Sequence, residues 1–386
     1  MKGRSVPFVF PVGYHAFHGD PLFNFQLNRW HSLGYARLGE MAEAGSRVAD
    51  FASWKREMLA LAERAEAEGR LINAAFYSRA AEFYTTPRDP DKGALYDRFA
   101  RLFYGAIEGE AFTRESVPYG GGSLPALIVP PASSKRGTIV IHGGFDSFIE
   151  EWYSMMRHFS GLGYEVVGFE GPGQGAALRK HGLPLDLAWE KPTGAVLDRF
   201  RLEGVTLIGL SMGGWFALRA AAFEPRVERV IASGHSMDYM GSMNYLVKWL
   251  HMWSAKHMRG FTDRMAAKKL EKEGMGSWVA EQLMYITKKE KPMDAFDAYL
   301  WMNAENQHPE LVRQDCLVMA SREDHFVPFK MHARQLEALR NARSVTGRVF
   351  TREEHAQNHC QVGNIGLALN VMTEWIAEKS GSRELP

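Results

Sequence analysis

A serine at a predicted strand-to-helix turn is the residue best placed to do chemistry. The stretch Gly209-Leu210-Ser211-Met212-Gly213 reads G-x-S-x-G, with an apolar β-branched run at 205–208 before it and helix-forming residues at 214–222 after it. Glycines on both sides allow a strained turn in which a Cβ would clash with the backbone. The pattern predicts a nucleophile elbow with Ser211 as the nucleophile, and a serine in an ordinary tight turn is the simpler alternative.

A catalytic serine needs a base and an acidic residue beside it, because its hydroxyl is a weak nucleophile at neutral pH. It becomes reactive when a base accepts its proton and a carboxylate orients that base. After an elbow of this kind the acid follows along the chain, at the end of a later strand. Asp324 comes after the apolar run at 317–320 and is the predicted acid. Its neighbour Glu323 and, one strand earlier, Asp238 are the alternatives.

The base is expected in the segment after the last predicted strand, which holds two histidines. His359 stands shortly before the final predicted helix and is the predicted base, with His355 in reserve. Residues near other strand ends, or in the segment that follows one, are candidates for the wall of a substrate pocket: His142, Asp238, Tyr239 and His325.

The negative oxygen of a tetrahedral intermediate needs backbone N–H donors rather than particular side chains. Met212, directly after the serine, is one predicted donor. The second is expected from the loop after the predicted strand at 138–141, which reads His142-Gly143-Gly144-Phe145-Asp146-Ser147. Gly144 and Phe145 both qualify, and the sequence leaves the choice between them open.

Composition and charge narrow the classes of function. The chain has 386 residues, of which 46% are hydrophobic and 24% charged, and its net charge is +1. These values are typical of a globular protein with a large core and do not support nucleic-acid binding. The two cysteines, Cys316 and Cys360, make no disulfide framework, and no apolar run reaches the roughly 18 residues of a membrane span. We expect a cytoplasmic protein without nucleic-acid or membrane partners.

Cofactor and metal motifs are not found in the sequence. The stretch Gly171-Pro172-Gly173-Gln174-Gly175 follows a predicted strand, but its spacing differs from that of a dinucleotide fingerprint and it contains a proline. No group of histidines or cysteines has zinc-site spacing. The sequence predicts no cofactor and no metal ion, and a small molecule as the substrate.

The pattern of elements predicts an α/β fold with a mostly parallel sheet flanked by helices. Residues 1–110 are expected to form a helical N-terminal domain, and 111–235 with 310–386 a core of alternating strands and helices. The strand pattern stops over 236–309, a helical stretch rich in methionine and aromatic residues. We expect it to be a lid and an adaptable pocket wall, although a helical subdomain with its own core would have the same composition.

These motifs resemble those of the α/β-hydrolases. The chain is most similar to the branch with a helical N-terminal domain, which includes 2,6-dihydroxypseudooxynicotine hydrolase, fungal polyketide-shortening hydrolases and the fermentation-respiration switch proteins. The stretches that carry the resemblance are 69–75 with Arg79-Ala80, 143–147, 171–175, 209–214 and His359-Cys360. The branch has a second carboxylate near the substrate, for which Asp238 is the nearest candidate, left unassigned here.

The resemblance implies a serine-dependent hydrolase that works through an acyl-enzyme. Hydrolysis of a C–C bond in a 1,3-dicarbonyl or polyketide-like substrate is the favoured reaction, because members of the branch cleave such bonds beside a ketone. Cleavage of an apolar or aromatic ester, thioester or lactone is the alternative. A regulatory or binding protein on a hydrolase fold is the alternative of another class. Paired helical N-terminal domains would make a homodimer.

Overall fold

The computed structural model describes residues 8–241, 244–270 and 274–381. In these ranges one sheet has the strand order β1-β2-β4-β3-β5-β6-β7-β8. Strand β2 pairs antiparallel with β1 and with β4, and every other pairing is parallel. The strands are β1 (Thr113–Tyr119), β2 (Gly122–Val129), β3 (Gly137–His142), β4 (Tyr164–Phe169), β5 (Val205–Leu210), β6 (Val227–Ser233), β7 (Asp315–Ser321) and β8 (Ser344–Phe350).

Helices cover the sheet and precede it. Within the described ranges they are α1 (Pro21–Ser32), α2 (Leu38–Gly45), α3 (Phe51–Ala67), α4 (Leu71–Tyr84), α5 (Asp91–Ala106), α6 (Tyr153–Gly161), α7 (Gly175–Arg179), α8 (Glu190–Phe200), α9 (Met212–Phe223), α10 (Tyr245–His257), α11 (Arg259–Leu270), α12 (Met275–Thr287), α13 (Pro292–Trp301), α14 (Ala304–Gln307), α15 (Lys330–Ala338) and α16 (Ile365–Gly381). None of them is both long and apolar enough to cross a membrane.

The predicted mostly parallel sheet with flanking helices is confirmed. Strand β5 is buried along its whole length, as expected of a β-branched and largely apolar strand in a parallel sheet covered on both faces. Helix α1 begins at Pro21, because Asp20 caps it and proline suits the first turn. Helix α6 is preceded by a 3₁₀ turn, Ile149–Trp152.

Helices α1 to α5 precede the sheet and pack around aromatic side chains. Trp30, Trp54 and Phe76 are fully buried there, and the Phe76 ring stacks on Tyr35 with 3.5 Å between ring centroids. Helix α3 is fixed at its start by a capping box between Asp50 and Ser53. The apolar stripes of these helices are therefore core, as the sequence indicates.

Helices α10 to α14 occupy the stretch predicted as a lid. Its buried apolar side chains lie mostly in α12, α13 and their surroundings, among them Trp278, Leu283, Ile286, Ala295 and Met302. Its exposed apolar side chains lie mostly in or between α10 and α11, among them Leu246, Trp249, Leu250, Met252, Trp253, Met258, Phe261 and Met265. Ala255 in α10, which is buried, and Trp301 in α13, which is exposed, depart from this division. Met243 and the side chains of Tyr245 and Met275, which contributed to the prediction, lie outside the described residues. We retain the division into N-terminal domain, core and lid as a proposal.

Two glycines in the N-terminal helices give opposite expectations for replacement by alanine. A Cβ on Gly45, at the end of α2, would overlap the carbonyl oxygen of Phe17, whereas one on Gly105 in α5 would meet only Leu71 at 4.0 Å. We expect Gly45→Ala to destabilise the protein by about 1–3 kcal/mol through overpacking. Gly105→Ala should stabilise it by about 0.5–1 kcal/mol, because alanine is the better helix former. Urea titration of both variants measures the two changes, and equal changes would contradict the packing described here.

Candidate active site

The turn between β5 and α9 holds Ser211 in a conformation that few residues adopt. Its φ is 58° and its ψ is −132°. A Cβ on Gly209 would overlap the carbonyl oxygen of Gly213, and a Cβ on Gly213 would lie 2.5 Å from that of Gly143. Three backbone segments thus meet at distances that only glycine permits. This close approach fixes the serine at the N-terminus of α9, beside the loop after β3.

Ser211, His359 and Asp324 form one hydrogen-bonded line. The serine Oγ lies 2.8 Å from His359 Nε2, and Nδ1 of the same ring lies 2.7 Å from Asp324 Oδ2. The second carboxylate oxygen of Asp324 accepts the N–H groups of Phe326 and Val327 at 2.8 and 2.9 Å. Both carboxylate oxygens are therefore engaged, and the imidazole is held between the serine and the acid.

The alternative acids and the alternative histidine lie elsewhere. Glu323 is exposed and pairs with Arg352, whose Nε donates to it at 2.9 Å. A carboxylate oxygen of Asp238 accepts the N–H of Met240 at 2.9 Å, within its own turn. His355 is exposed at the end of the 3₁₀ turn Arg352–Glu354, with a φ of 57°. The structure thus brings only Asp324 and His359, of the described candidates, into line with Ser211.

The loop 143–147 runs beside the N-terminus of α9. A Cβ on Gly144 would lie 2.7 Å from the amide nitrogen of Met212, so the loop backbone and that N–H are adjacent. The N–H of Gly144 donates to Ser147 Oγ at 3.0 Å. In the part of the chain that the structure describes, neither Met212 N–H nor Phe145 N–H has a hydrogen-bond acceptor. Two backbone donors without acceptors among the described residues therefore lie at the junction of this loop and the turn that holds Ser211.

The four candidate pocket residues have different surroundings. His142 is fully buried between Phe169 and Trp189, and burial lowers its pKa to about 4. His325 is exposed and packs against Phe25 with 4.8 Å between ring centroids.

Asp238 and Tyr239 lie in the turn after β6, both half-buried. The Tyr239 ring packs against Tyr299 with 5.6 Å between centroids. Burial holds the pKa of Tyr239 well above its usual range, and the charges of Tyr299 and Asp324 act in the same direction. Tyr239 thus stands near the hydrogen-bonded line, whereas His142 is part of the core beneath the elbow.

Two phenylalanines beside His359 were not anticipated. Phe326 lies 5.0 Å from the imidazole centroid and Phe25, from α1, lies 6.1 Å away. Phe25 belongs to the N-terminal helices, and the packing of α1 on the sheet domain brings it here. The position of Phe326, shortly after the predicted acid, was a local signal that could have identified it.

The Asp324 carboxylate stabilises the imidazolium that His359 becomes on accepting a proton, whereas only the neutral imidazole can act as a base. Burial by itself lowers the pKa of the imidazole, but the Asp324 carboxylate and, secondarily, Cys360 outweigh it and hold the pKa well above its usual range. Among the described residues, no group of three or more His, Cys, Asp or Glu side chains is arranged to hold a metal ion.

Comparison with known proteins assigns the chain to a family. The model of the alpha/beta hydrolase family matches residues 138–359, a range that includes the elbow and the residues hydrogen-bonded to it. The chain belongs to the alpha/beta hydrolase family. Alpha/beta hydrolase psoB of Aspergillus fumigatus is 33% identical over 264 residues, covering 56% of this chain and 59% of psoB. Hydrolase LUC6 of a Fusarium species is 31% identical over 306 residues, covering 66% of this chain and 71% of LUC6.

Solved structures share the alpha/beta hydrolase fold at low sequence identity. AbyA5 superposes with a TM-score of 0.64 and 21% identity, covering 84% of this chain and 85% of its own. 2,6-Dihydroxy-pseudo-oxynicotine hydrolase superposes with a TM-score of 0.63 and 20% identity, covering 90% and 94%. The predicted resemblance to α/β-hydrolases is confirmed by the family match and the fungal relatives, and these structures confirm the shared fold.

The pair of Asp324 and His359 predicts a pH-dependent stability. The imidazole titrates near pH 6.5 in the unfolded chain and at higher pH in the folded protein. The pair therefore stabilises the fold fully below about pH 6.5, and this contribution is lost as the pH rises through the folded pKa. In Asp324→Asn we expect the pKa of His359 to fall well below its wild-type value. The variant should have a smaller free energy of unfolding than the wild type at low pH, and this difference should decrease as the pH rises.

Imidazole NMR titration and urea unfolding at several pH values measure both effects. Glu323→Gln is the matched control, because this neighbouring carboxylate pairs with Arg352 at the surface. The control should leave the His359 titration unchanged. An Asp324→Asn protein in which His359 titrates as in the wild type would contradict the assigned cause.

Proposed function

We propose that the protein is a serine hydrolase in which Ser211 is the nucleophile, His359 the general base and acid, and Asp324 the group that orients His359. The observation that carries this proposal is the unbroken hydrogen-bonded line from Ser211 Oγ through His359 to Asp324. A binding or regulatory protein has no need of a strained serine aligned with a histidine and a buried carboxylate, so the arrangement supports the enzyme.

The reaction proceeds through two tetrahedral intermediates. His359 Nε2 accepts the hydroxyl proton as Ser211 Oγ bonds to the substrate carbonyl carbon. When the tetrahedral intermediate collapses, the bond to the leaving group breaks and His359 returns the proton to that group. A water molecule then gives a proton to His359 while its oxygen attacks the acyl-enzyme, and collapse of the second intermediate releases a carboxylic acid and regenerates Ser211.

The N–H groups of Met212 and Phe145 are the proposed donors to the developing oxyanion. Both are free of acceptors among the described residues, whereas the N–H of Gly144 is engaged by Ser147 Oγ. This engagement favours Phe145 over Gly144, the alternative that the sequence left open. Each such donor contributes about 3 kcal/mol to transition-state stabilisation in hydrolases of this type.

The favoured substrate is a 1,3-dicarbonyl or polyketide-like compound cleaved at a C–C bond. The motif resemblance described above supports this choice, together with the aromatic surroundings of His359 formed by Phe25 and Phe326. The leaving carbon carries the electron pair of the broken bond, so it must lie beside a second carbonyl that delocalises the pair as an enolate. An ester needs no such group, because its leaving oxygen holds the charge.

The assignment of the nucleophile is tested by labelling with a fluorophosphonate. We expect wild-type protein to be modified at Ser211, as located by peptide mass spectrometry, and Ser211→Ala to remain unlabelled. Turnover of an aryl ester should fall by roughly 10⁶-fold in that variant. Ser78→Ala is the control, since Ser78 is buried in α4 and its hydroxyl, among the described residues, donates only to the Ala74 carbonyl of its own helix. Labelling of Ser211→Ala at another serine would overturn the assignment.

The type of bond is tested by turnover of an aryl 1,3-diketone in ¹⁸O-labelled water. We expect an aryl carboxylic acid with one ¹⁸O atom and a methyl ketone, formed in equal amounts, because water attacks only the acyl-enzyme. Matched aryl esters and thioesters provide the comparison. Hydrolysis of the esters without turnover of any diketone would contradict the C–C assignment and establish the esterase alternative, with Ser211 in the same role.

A further inference from the structure

Asp146 follows Phe145, and all three of its oxygen atoms accept hydrogen bonds. It is 2% exposed and has a φ of 47°, in the left-handed region that side-chain-bearing residues seldom adopt. Its carbonyl oxygen accepts Arg79 Nη2 at 2.9 Å. Oδ1 accepts Arg179 Nη1 at 2.9 Å, and Oδ2 accepts Gln282 Nε2 at 2.5 Å and Arg179 Nη2 at 3.3 Å. The backbone conformation is therefore determined by contacts from outside the loop.

These partners come from three different parts of the chain. Arg79 belongs to α4 in the N-terminal helices, Arg179 to α7 beside the sheet, and Gln282 to α12 in the helical insertion. The neighbouring Phe145 ring follows the same division, because it packs against the apolar clusters of the N-terminal helices, the sheet and α12. The loop after β3 is thus the place where the three parts meet.

The rest of the loop is clamped from within the sheet domain. Gln174 Nε2 donates to the carbonyl oxygens of Gly143 and Gly144, both at 2.8 Å, and Ser147 Oγ accepts the Gly144 N–H. The Phe145 N–H belongs to the same planar peptide as the Gly144 carbonyl that Gln174 holds. The next peptide joins Phe145 to Asp146. The direction of the Phe145 N–H is accordingly set on one side by Gln174 and, through the link to Asp146, on the other side by the contacts of Asp146.

The contacts of Asp146 continue into a buried chain of ion pairs. Arg179 also donates to Glu82 at 2.8 Å, Glu82 pairs with Lys92 at 3.0 Å and with Arg79, and Arg79 donates to Glu151 at 2.7 Å. The side chains of Arg79, Glu82 and Glu151 are fully buried, so their charges are compensated by one another and by the neighbouring Arg179, Lys92 and Arg29. Such a network tolerates little displacement, because moving one charge leaves its partner uncompensated.

We propose that Asp146 is a positioning residue that orients the Phe145 N–H towards the oxyanion. Because Gln282 of α12 is one of the donors to Asp146, this orientation depends on whether α12 is packed in place. The inference rests on the proposed function and deepens it, since it assigns a regulatory contact to the same site. When α12 is seated, Gln282 completes the set of donors to Asp146 and the oxyanion hole is assembled. When α12 moves away, Asp146 loses a donor and the Phe145 peptide loses a constraint on its orientation.

Gln282→Met is the variant that isolates this contact. Methionine has a similar volume and cannot donate, and the Gln282 side-chain oxygen has no partner among the described residues, so the fold loses little. Glu281→Gln is the matched control. It lies on the same helix and loses only a pair with the exposed Arg88, whose nitrogen is 3.5 Å away.

Two readouts on the full chain separate positioning from a merely structural role. The first is kcat and KM for an aryl ester, and the second is the Ki of an aryl trifluoromethyl ketone. Ser211 Oγ adds to the carbonyl carbon of this ketone, and the resulting oxyanion occupies the oxyanion hole. For Gln282→Met we expect kcat to fall about tenfold with KM within twofold, and Ki to rise by the same factor, because small misplacements of transition-state contacts cost one to two orders of magnitude. Glu281→Gln should match the wild type.

Asp146→Asn extends the test, since it keeps the shape of the side chain and removes its charge. We expect a larger fall in kcat than in Gln282→Met, and Gln282→Met decides the matter by itself if Asp146→Asn does not fold. An unchanged kcat and Ki in Gln282→Met, or a loss confined to KM, would overturn the positioning role while leaving the hydrolase intact. A wild-type protein that forms no adduct at Ser211 would overturn the proposed function itself.

Discussion

The close approach of three backbone segments at the elbow is the constraint on which the rest of the site depends. Gly209, Gly213 and Gly143 have no room for a Cβ, so the end of β5, the start of α9 and the loop after β3 touch through their main chains. This contact places the serine at the turn and the N-terminus of α9 next to it. It also places the backbone amides of the loop after β3 beside the start of α9. A bulkier residue at any of these positions would separate elements that supply different parts of the chemistry.

Charge placement in the protein has two different purposes. Around His359 a single buried carboxylate holds the ring in one orientation, and in the proposed mechanism it stabilises the positive imidazole that forms when a proton is taken from Ser211. Around Asp146 the charges alternate in sign and are almost wholly buried, and the gain is geometric because each group limits the position of the next. The first arrangement prepares a reaction step, and the second fixes a scaffold.

Local signals account for the parts that the sequence predicts well. The strands, the elbow and the choice of Asp324 and His359 follow from apolar runs and from the residues placed directly after them. The contacts of Phe25 with His359 and of Gln282 with Asp146 do not, because each depends on how a distant helix packs. The proposal of Phe145 over Gly144 as a donor depends on the position of the Ser147 hydroxyl, which no pattern of residue types encodes.

The buried ion pairs between the N-terminal helices and the sheet domain also constrain how the protein can be recombined. Arg29 and Arg79 come from the first part of the chain, and their common partner Glu151 follows β3. If the N-terminal helices were exchanged for those of a relative lacking either arginine, Glu151 would remain buried without full compensation, at the high cost of an isolated charge. The N-terminal helices and the sheet domain are therefore constrained to change together. A substitution of either arginine requires a matching substitution at Glu151.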